Sequence, residues 1–205
     1  IMKTIMAVMA GGMMLLAVNV QADEKKNNYA LFRYDGGDGV SGTVNVLENY
    51  TFPGWTLGVE IDTGKKDFQA FFIYVFREIT AGLQLGAQYY RESDGVEDFV
   101  PYISYSKAFG DITASGMCRE FLGDKQYTEF WGGLTYSPWG QEGLYFGMQA
   151  GYYFYQHGAK YWYVRLPVAG YRFSNGIAPL VWYQHQENDE DFRGDTYMAA
   201  IEFKF

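Results

Sequence analysis

From residue 28 onwards the chain is a succession of segments in which apolar and polar side chains alternate. That period is expected of strands whose two faces meet unlike surroundings. The clearest runs from Ile79 to Glu92: Ile79, Ala81, Leu83, Leu85, Ala87 and Tyr89 fall on one face, and Thr80, Gly82, Gln84, Gly86, Gln88 and Tyr90 on the other. Trp55–Asp62, Tyr127–Tyr136 and Leu144–Gln156 alternate in the same way. The last segment places Tyr197, Ala199, Ile201, Phe203 and Phe205 opposite Met198, Ala200, Glu202 and Lys204. With Tyr29–Tyr34, Val40–Glu48, Phe68–Phe76, Phe99–Phe109, Ile112–Phe121, Tyr161–Phe173 and Ile177–His185 these make twelve predicted strands. Phe68–Phe76 is apolar on both faces, so pattern alone does not set its register. In Tyr161–Phe173 the apolar face is expected to be Trp162, Val164, Leu166 and Val168.

The connections alternate in character. Arg77-Glu78, Gly110-Asp111 and Asn175-Gly176 read as tight reversals at one end of a meander, the last two being favoured hairpin turns. The acidic clusters at 35–38, 93–98 and 187–195 fall at the other end, and Pro138–Gly143 is long on the short side. Most of the predicted strands exceed the ~5–6 residues usual in soluble sheets and approach or pass the ~9–11 of a tilted strand crossing a bilayer. Helical periodicity is sustained nowhere after residue 22, and no stretch there approaches the ~18 apolar residues of a spanning helix. The reading is an all-β fold: a transmembrane antiparallel up-and-down β-barrel of about twelve strands, with ten or eight as alternatives and a soluble sandwich as the competing architecture. An even strand number brings both ends of the sheet to one side.

The amino end adds an export signal to this picture. Lys3 is the only charge before Asp23, an apolar run extends from Ile5 to Val20, and Val20-Gln21-Ala22 has the small-x-small form of a cleavage site. Residues 1–22 are read as a signal peptide, 23–28 as a short leader, and 29–205 as a single barrel domain. Composition agrees with an exported barrel: aromatics are 20% of the chain, glycine numbers 25 against 5 prolines, and hydrophobicity is hidden by alternation rather than concentrated. A net charge of −8 argues against nucleic acid, which requires clustered cations. Cys118 is the only cysteine, so no intramolecular disulfide staples the fold, and the thiol is expected to be buried and inert.

An alternating terminal strand that ends in a phenylalanine resembles the closing strand of Gram-negative outer-membrane β-barrel proteins. The resemblance implies that Phe205 is the signal read by the barrel assembly machinery, and that outer-membrane lipid and lipopolysaccharide surround the fold. From Leu83 to Phe121 the order is Leu-Gln-Leu-Gly-Ala-Gln-Tyr-Tyr, then Ser-Asp-Gly, Val-Pro-Tyr-Ile-Ser-Tyr, a Gly-Asp turn, and Met-Cys-Arg-Glu-Phe. This stretch resembles small monomeric twelve-stranded porins specific for oligogalacturonate and other acidic oligosaccharides. The resemblance implies a monomer, passive uptake, and a narrow lumen lined by tracks of arginine. This chain departs from that pattern in its predicted interior.

With the apolar faces turned outwards, the other faces line the inside. Its charges are expected to be Arg33, Glu60, Arg119, Glu129, Arg165 and Glu202, with Trp131 beside them. Three arginines against three glutamates do not form a cationic track, and Tyr, Gln and Trp131 suit a neutral or mixed sugar. Two readings of these charges compete: a solute path, or ion pairs that satisfy one another inside a closed barrel. Glycines 82, 86, 147 and 151 either make room for a pore or accommodate large neighbours. The enzyme readings find little support. Barrel phospholipases and deacylases resemble one another in a His-x-Ser pair, whereas the histidines here read His157-Gly158-Ala159 and His185-Gln186-Glu187. No metal-loop spacing appears in the acidic segment 187–191. The expected activity is facilitated diffusion of a small hydrophilic solute, an oligosaccharide among the candidates, with no cofactor and no catalytic residue. The alternative is a closed structural or adhesive barrel.

Overall fold

The computed structural model describes residues 29–204 except 38–39, 53–54, 64–68, 141, 157, 159 and 190–192; for residues 29, 40–52 and 69 it describes the backbone alone. The segments read as signal peptide and leader, and Phe205, lie outside the described residues. Twelve strands are present: β1 (Tyr29–Gly37), β2 (Val40–Phe52), β3 (Trp55–Thr63), β4 (Gln69–Thr80), β5 (Leu83–Glu92), β6 (Glu97–Phe109), β7 (Ile112–Glu120), β8 (Tyr127–Tyr136), β9 (Gly143–Tyr155), β10 (Lys160–Arg172), β11 (Ile177–Asn188) and β12 (Arg193–Lys204). Each pairs antiparallel with its neighbours in sequence, and β1 pairs with β12 from Tyr29↔Lys204 to Gly37↔Thr196, which closes the sheet. A closed sheet leaves no row of unpaired backbone groups, the condition for a strand structure surrounded by hydrocarbon.

The end of the barrel that carries Tyr29 and Lys204 is termed the terminal end; the opposite end is the far end. Alternation along each strand sorts side chains cleanly. Leu57, Ile73, Val75, Leu85, Ile103 and Leu134 point outwards and are substantially exposed, as aliphatics at mid-height. Aromatics flank them outside: Tyr105, Phe109, Tyr136, Trp139 and Tyr171 towards the terminal end, and Tyr34, Tyr89, Phe99, Phe130 and Tyr197 towards the far end. An aliphatic band between two aromatic girdles is the exterior of a bilayer-crossing barrel. Cys118 also lies on this outer face and is only partly buried, because its position on β7 has outward parity; it is not the core thiol expected.

Three further expectations need correction. The reversal after β4 is at Ala81-Gly82, and Arg77-Glu78 lie within the strand. Gly82 adopts φ +82°, and a Cβ there would sit 2.0 Å from the Ser106 carbonyl oxygen, so a glycine fixes the turn four residues later than the charges suggest. The loop read at 187–195 is shorter, since β11 runs to Asn188 and β12 starts at Arg193. Polar residues on both faces erase the alternation there without ending the hydrogen-bonded ladder. Val168 points inwards, not outwards. A β-bulge between Arg165 and Val168, containing Pro167, shifts the register against both β9 and β11 and reverses parity downstream. Proline has no N–H to give a ladder and is tolerated at such a bulge.

The interior glycines resolve into two kinds. Gly82 belongs to the turn, whereas Gly86 faces Tyr102, Gly151 faces Tyr163 and, unforeseen, Gly170 faces Tyr145 across the ladder. A Cβ at Gly151 would lie 2.3 Å from the Tyr163 ring, and one at Gly170 2.4 Å from Tyr145, so each tyrosine occupies the space that a side chain would take. Gly151→Val is expected to push Tyr163 off the wall and destabilise the barrel by about 1–3 kcal/mol, the cost of overpacking. Guanidinium unfolding of the detergent-solubilised barrel measures this; an unchanged midpoint would show that the ring is free to move.

Candidate functional site

The interior is built of two apolar patches and two polar ones, set diagonally. On the β4–β9 wall near the far end, Ala70, Tyr90, Val100, Phe121 and Tyr127 form a buried cluster joined by Phe72 and Tyr153. Its rings contact one another in sequence: Phe72–Tyr90 at 4.5 Å, Tyr90–Phe121 at 6.2 Å, Phe121–Tyr127 at 4.1 Å and Tyr127–Tyr153 at 5.4 Å between centroids. Across the barrel and nearer mid-height, Trp182, Met198 and Ala200 pack with Leu31, Val168 and Leu180 on β10, β11, β12 and β1. The remaining inner surface carries the polar groups.

All seven sequence-predicted residues take positions of inward parity, but they do different things. Arg119 and Glu129 are cross-strand neighbours on β7 and β8 and form an ion pair beneath the aromatic cluster, with the Glu129 side chain buried. Tyr163 Oη donates to Glu129 at 3.4 Å, and the Arg119 guanidinium lies over the Phe121 ring. This pair neutralises itself and is held by packing. Trp131 stands on the same strand, between Met117 and Gly151. Arg33 and Asp35, two residues apart on one face of β1, pair at 3.0 Å. Glu60 and its neighbour Asp62 face the same region from β3, near enough to Arg33 and Asp35 to feel their charge. Glu202 pairs with Lys204 at 3.4 Å at the terminal mouth.

Arg165 differs from the other predicted arginines. It makes no ion pair with a described residue; its partners are neutral. Nε donates to Gln184 Oε1 at 2.6 Å and Nη1 to Gln149 Oε1 at 2.9 Å, and the guanidinium lies over the rings of Tyr163 and Trp182. Gln184 in turn donates to Gln186, which accepts from Tyr161. A polar ladder therefore runs over β9, β10 and β11 at the height where the aromatic cluster ends. Arg172, displaced inwards by the bulge, lies over the Tyr145 ring at 4.1 Å and donates to Ser137 Oγ at 3.3 Å.

Sequence reasoning missed several of these residues. Asp35 was read as the start of a loop, because Gly36 and Gly37 follow it. Arg172 had outward parity until the bulge reversed it. Trp182 and Gln184 lie within the strand read as Ile177–His185 but were given no role there, and Gln186 lies beyond the end of that reading. His185 itself points outwards near the far end, against Asp195 at 2.8 Å and Glu187 at 3.3 Å, with Tyr183 donating to Asp195 at 2.6 Å. Among the described residues no cluster of ligating groups suited to a metal ion is present.

No family model matches the chain, and no curated protein does. Solved structures do. A KdgM porin in complex with disordered oligogalacturonate superposes with a TM-score of 0.70 at 13% identity, over 86% of this chain and 99% of that one. A NanC porin does so with a TM-score of 0.64 at 16% identity, over 87% of this chain and the whole of the other. At such identity the likeness is one of architecture: the chain has the fold of these small porin barrels.

Proposed function

We propose that this chain is an outer-membrane channel that passes a small hydrophilic solute by facilitated diffusion. The observation that carries the reading is Arg165. A closed, dry barrel must pair its interior charges, as Arg119 does with Glu129 and Arg33 with Asp35, because an unpaired ion costs several kcal/mol in a low-dielectric interior. Among the described residues the direct partners of Arg165 are amides and aromatic rings, Asp35 being felt only at a distance, and a guanidinium so placed needs water in the lumen. The exterior band supports placement in a bilayer, with the terminal end towards the periplasm. In this reading the assembly machinery inserts the chain through its last strand, lipopolysaccharide surrounds the far end, and the barrel works as a monomer.

The lumen would select by hydrogen bonding and mixed charge. Glutamines, tyrosine hydroxyls and a carboxylate-free arginine on one wall face Asp35, Glu60 and Asp62 on another. That combination suits an oligosaccharide bearing both hydroxyls and charge better than a polyanion, which the acidic side would repel. The similar porin solved with oligogalacturonate supports the saccharide class. The packed aromatic cluster favours the second reading, a closed structural or adhesive barrel.

Planar bilayers separate the two, since the refolded protein should give discrete conductance steps and silence would favour the closed barrel. Arg165→Glu is expected to move the anion-to-cation permeability ratio several-fold towards cations, roughly as for a charge reversal at a constriction; an unmoved reversal potential would remove Arg165 from the path. Arg119 should behave oppositely. Arg119→Ala is expected to cost about 3–5 kcal/mol by stranding Glu129, while the double replacement Arg119→Leu with Glu129→Leu recovers most of it. Ion selectivity of the double variant should stay that of the wild type, and a changed selectivity would put this pair in the path.

A further inference from the structure

The connection between β7 and β8, residues 121–126, carries the ladders of both strands on to the far rim, with Leu122 and Asp124 bonded to β6 and the Gln126 carbonyl accepting from the Gln156 N–H, and its tip also bonds to inward side chains of β6 and β5. Asp98, on the inner face of β6 and only 2% exposed, accepts hydrogen bonds from the backbone N–H of Gly123 at 2.7 Å and of Lys125 at 3.2 Å. The exchange is reciprocal: the Glu97 N–H donates to the Asp124 carboxylate at 2.9 Å. Backbone bonds from Leu122 to the Phe99 carbonyl and from Asp124 to the Glu97 carbonyl complete the seam, both at 3.1 Å. A Cβ at Gly123 would meet the Glu97 carbonyl oxygen at 2.1 Å, so this approach is open to glycine alone.

One strand further round, the Lys125 ammonium reaches Glu92 at 2.5 Å and the Tyr90 hydroxyl at 2.8 Å, and lies 4.4 Å from the centre of the Tyr90 ring. Tyr90 and Glu92 both face inwards on β5, and Tyr90 accordingly belongs to the aromatic cluster. The backbone of the segment thus stands in the wall at the far rim, and the Lys125 side chain reaches inwards across β6 to β5, above the ring stack of Phe121 and Tyr127. Every anchor is a short-range bond to a strand end, which makes the segment a fixed lip and not a hinged cover.

We propose that segment 121–126 sets the size limit of the far mouth, with Asp98 and Lys125 as the positioning residues that hold it across the rim. This rests on the channel reading above. Asp98 fixes the backbone of the lip; Lys125 ties its tip to the opposite side of the aromatic cluster. With either side chain removed, the base of the lip stays in the ladder but its tip around Lys125 is no longer drawn in over the rim, and the aromatic wall beneath it becomes part of the opening.

The test is partitioning of neutral polyethylene glycols of graded size into single channels, which reads width independently of charge. Wild type, Asp98→Ala and Lys125→Met are compared, with folding checked by heat-modifiable electrophoretic migration. The two variants are expected to admit larger polymers and to raise conductance roughly twofold, as the open cross-section widens, with added flicker from the freed segment. A conducting wild type with an unchanged cut-off in Lys125→Met overturns the lip while leaving the channel reading intact. A silent wild type with a conducting variant supports the lip and overturns the open lumen, and silence in all three overturns both. If Asp98→Ala does not fold, Lys125→Met decides alone, since among the described residues the Lys125 side chain bonds to Tyr90 and Glu92 at the rim.

Discussion

The structure depends on the pairing of β1 with β12. Nine residues of β1 and nine of β12 meet there, and they convert a twisted sheet with two reactive edges into a surface with none. Everything else follows from closure. Because the backbone is satisfied within the sheet, the outer side chains are free to be apolar and exposed, and Leu57, Ile73 or Leu134 can stand outside without violating the usual rule of burial. The burden of polarity then falls on a narrow interior where each charged group has to find a partner or water.

The interior meets that requirement in two distinct ways. Near the far end on the β4–β9 side, aromatic rings fill the space and the ion pairs beside them, Arg119 with Glu129 and Lys125 with Glu92, neutralise themselves. On the β9–β11 side, amides replace carboxylates as the neighbours of arginine. Among the described residues, apolar and polar patches thus occupy different sectors of the inner wall. The tyrosines lying over Gly86, Gly151 and Gly170 contribute to this economy of space, since each ring lies along the wall where a glycine leaves room for it.

Much of this was legible in the alternation of the sequence. β8 has the predicted limits, the Gly110-Asp111 and Asn175-Gly176 turns are where expected, and the inward parity of Arg33, Glu60, Arg119, Glu129, Trp131, Arg165 and Glu202 follows directly from period two. The errors are equally physical. A Gly turn was hidden inside an uninterrupted alternation, so β4 and β5 were divided four residues early. Strand ends beyond the apolar band carry polar residues on both faces and looked like loop. Parity also says which side a charge faces but not what it meets: Arg119 and Arg165 were equivalent by pattern, and only the register across neighbouring strands gives one a carboxylate and the other two amides.

The bulge between Arg165 and Val168 has a further consequence for how this chain can vary. Arg165 and Arg172 are seven residues apart, an odd spacing that in an unbroken strand would send one guanidinium into the lumen and the other among acyl chains. The single step of slippage brings both to the same side. The phase of β10 is therefore set by one local irregularity, and the insertion or loss of a residue there would exchange the aqueous and lipid faces of everything downstream to Arg172. A defect in the ladder is in this case what keeps a cation out of the oil.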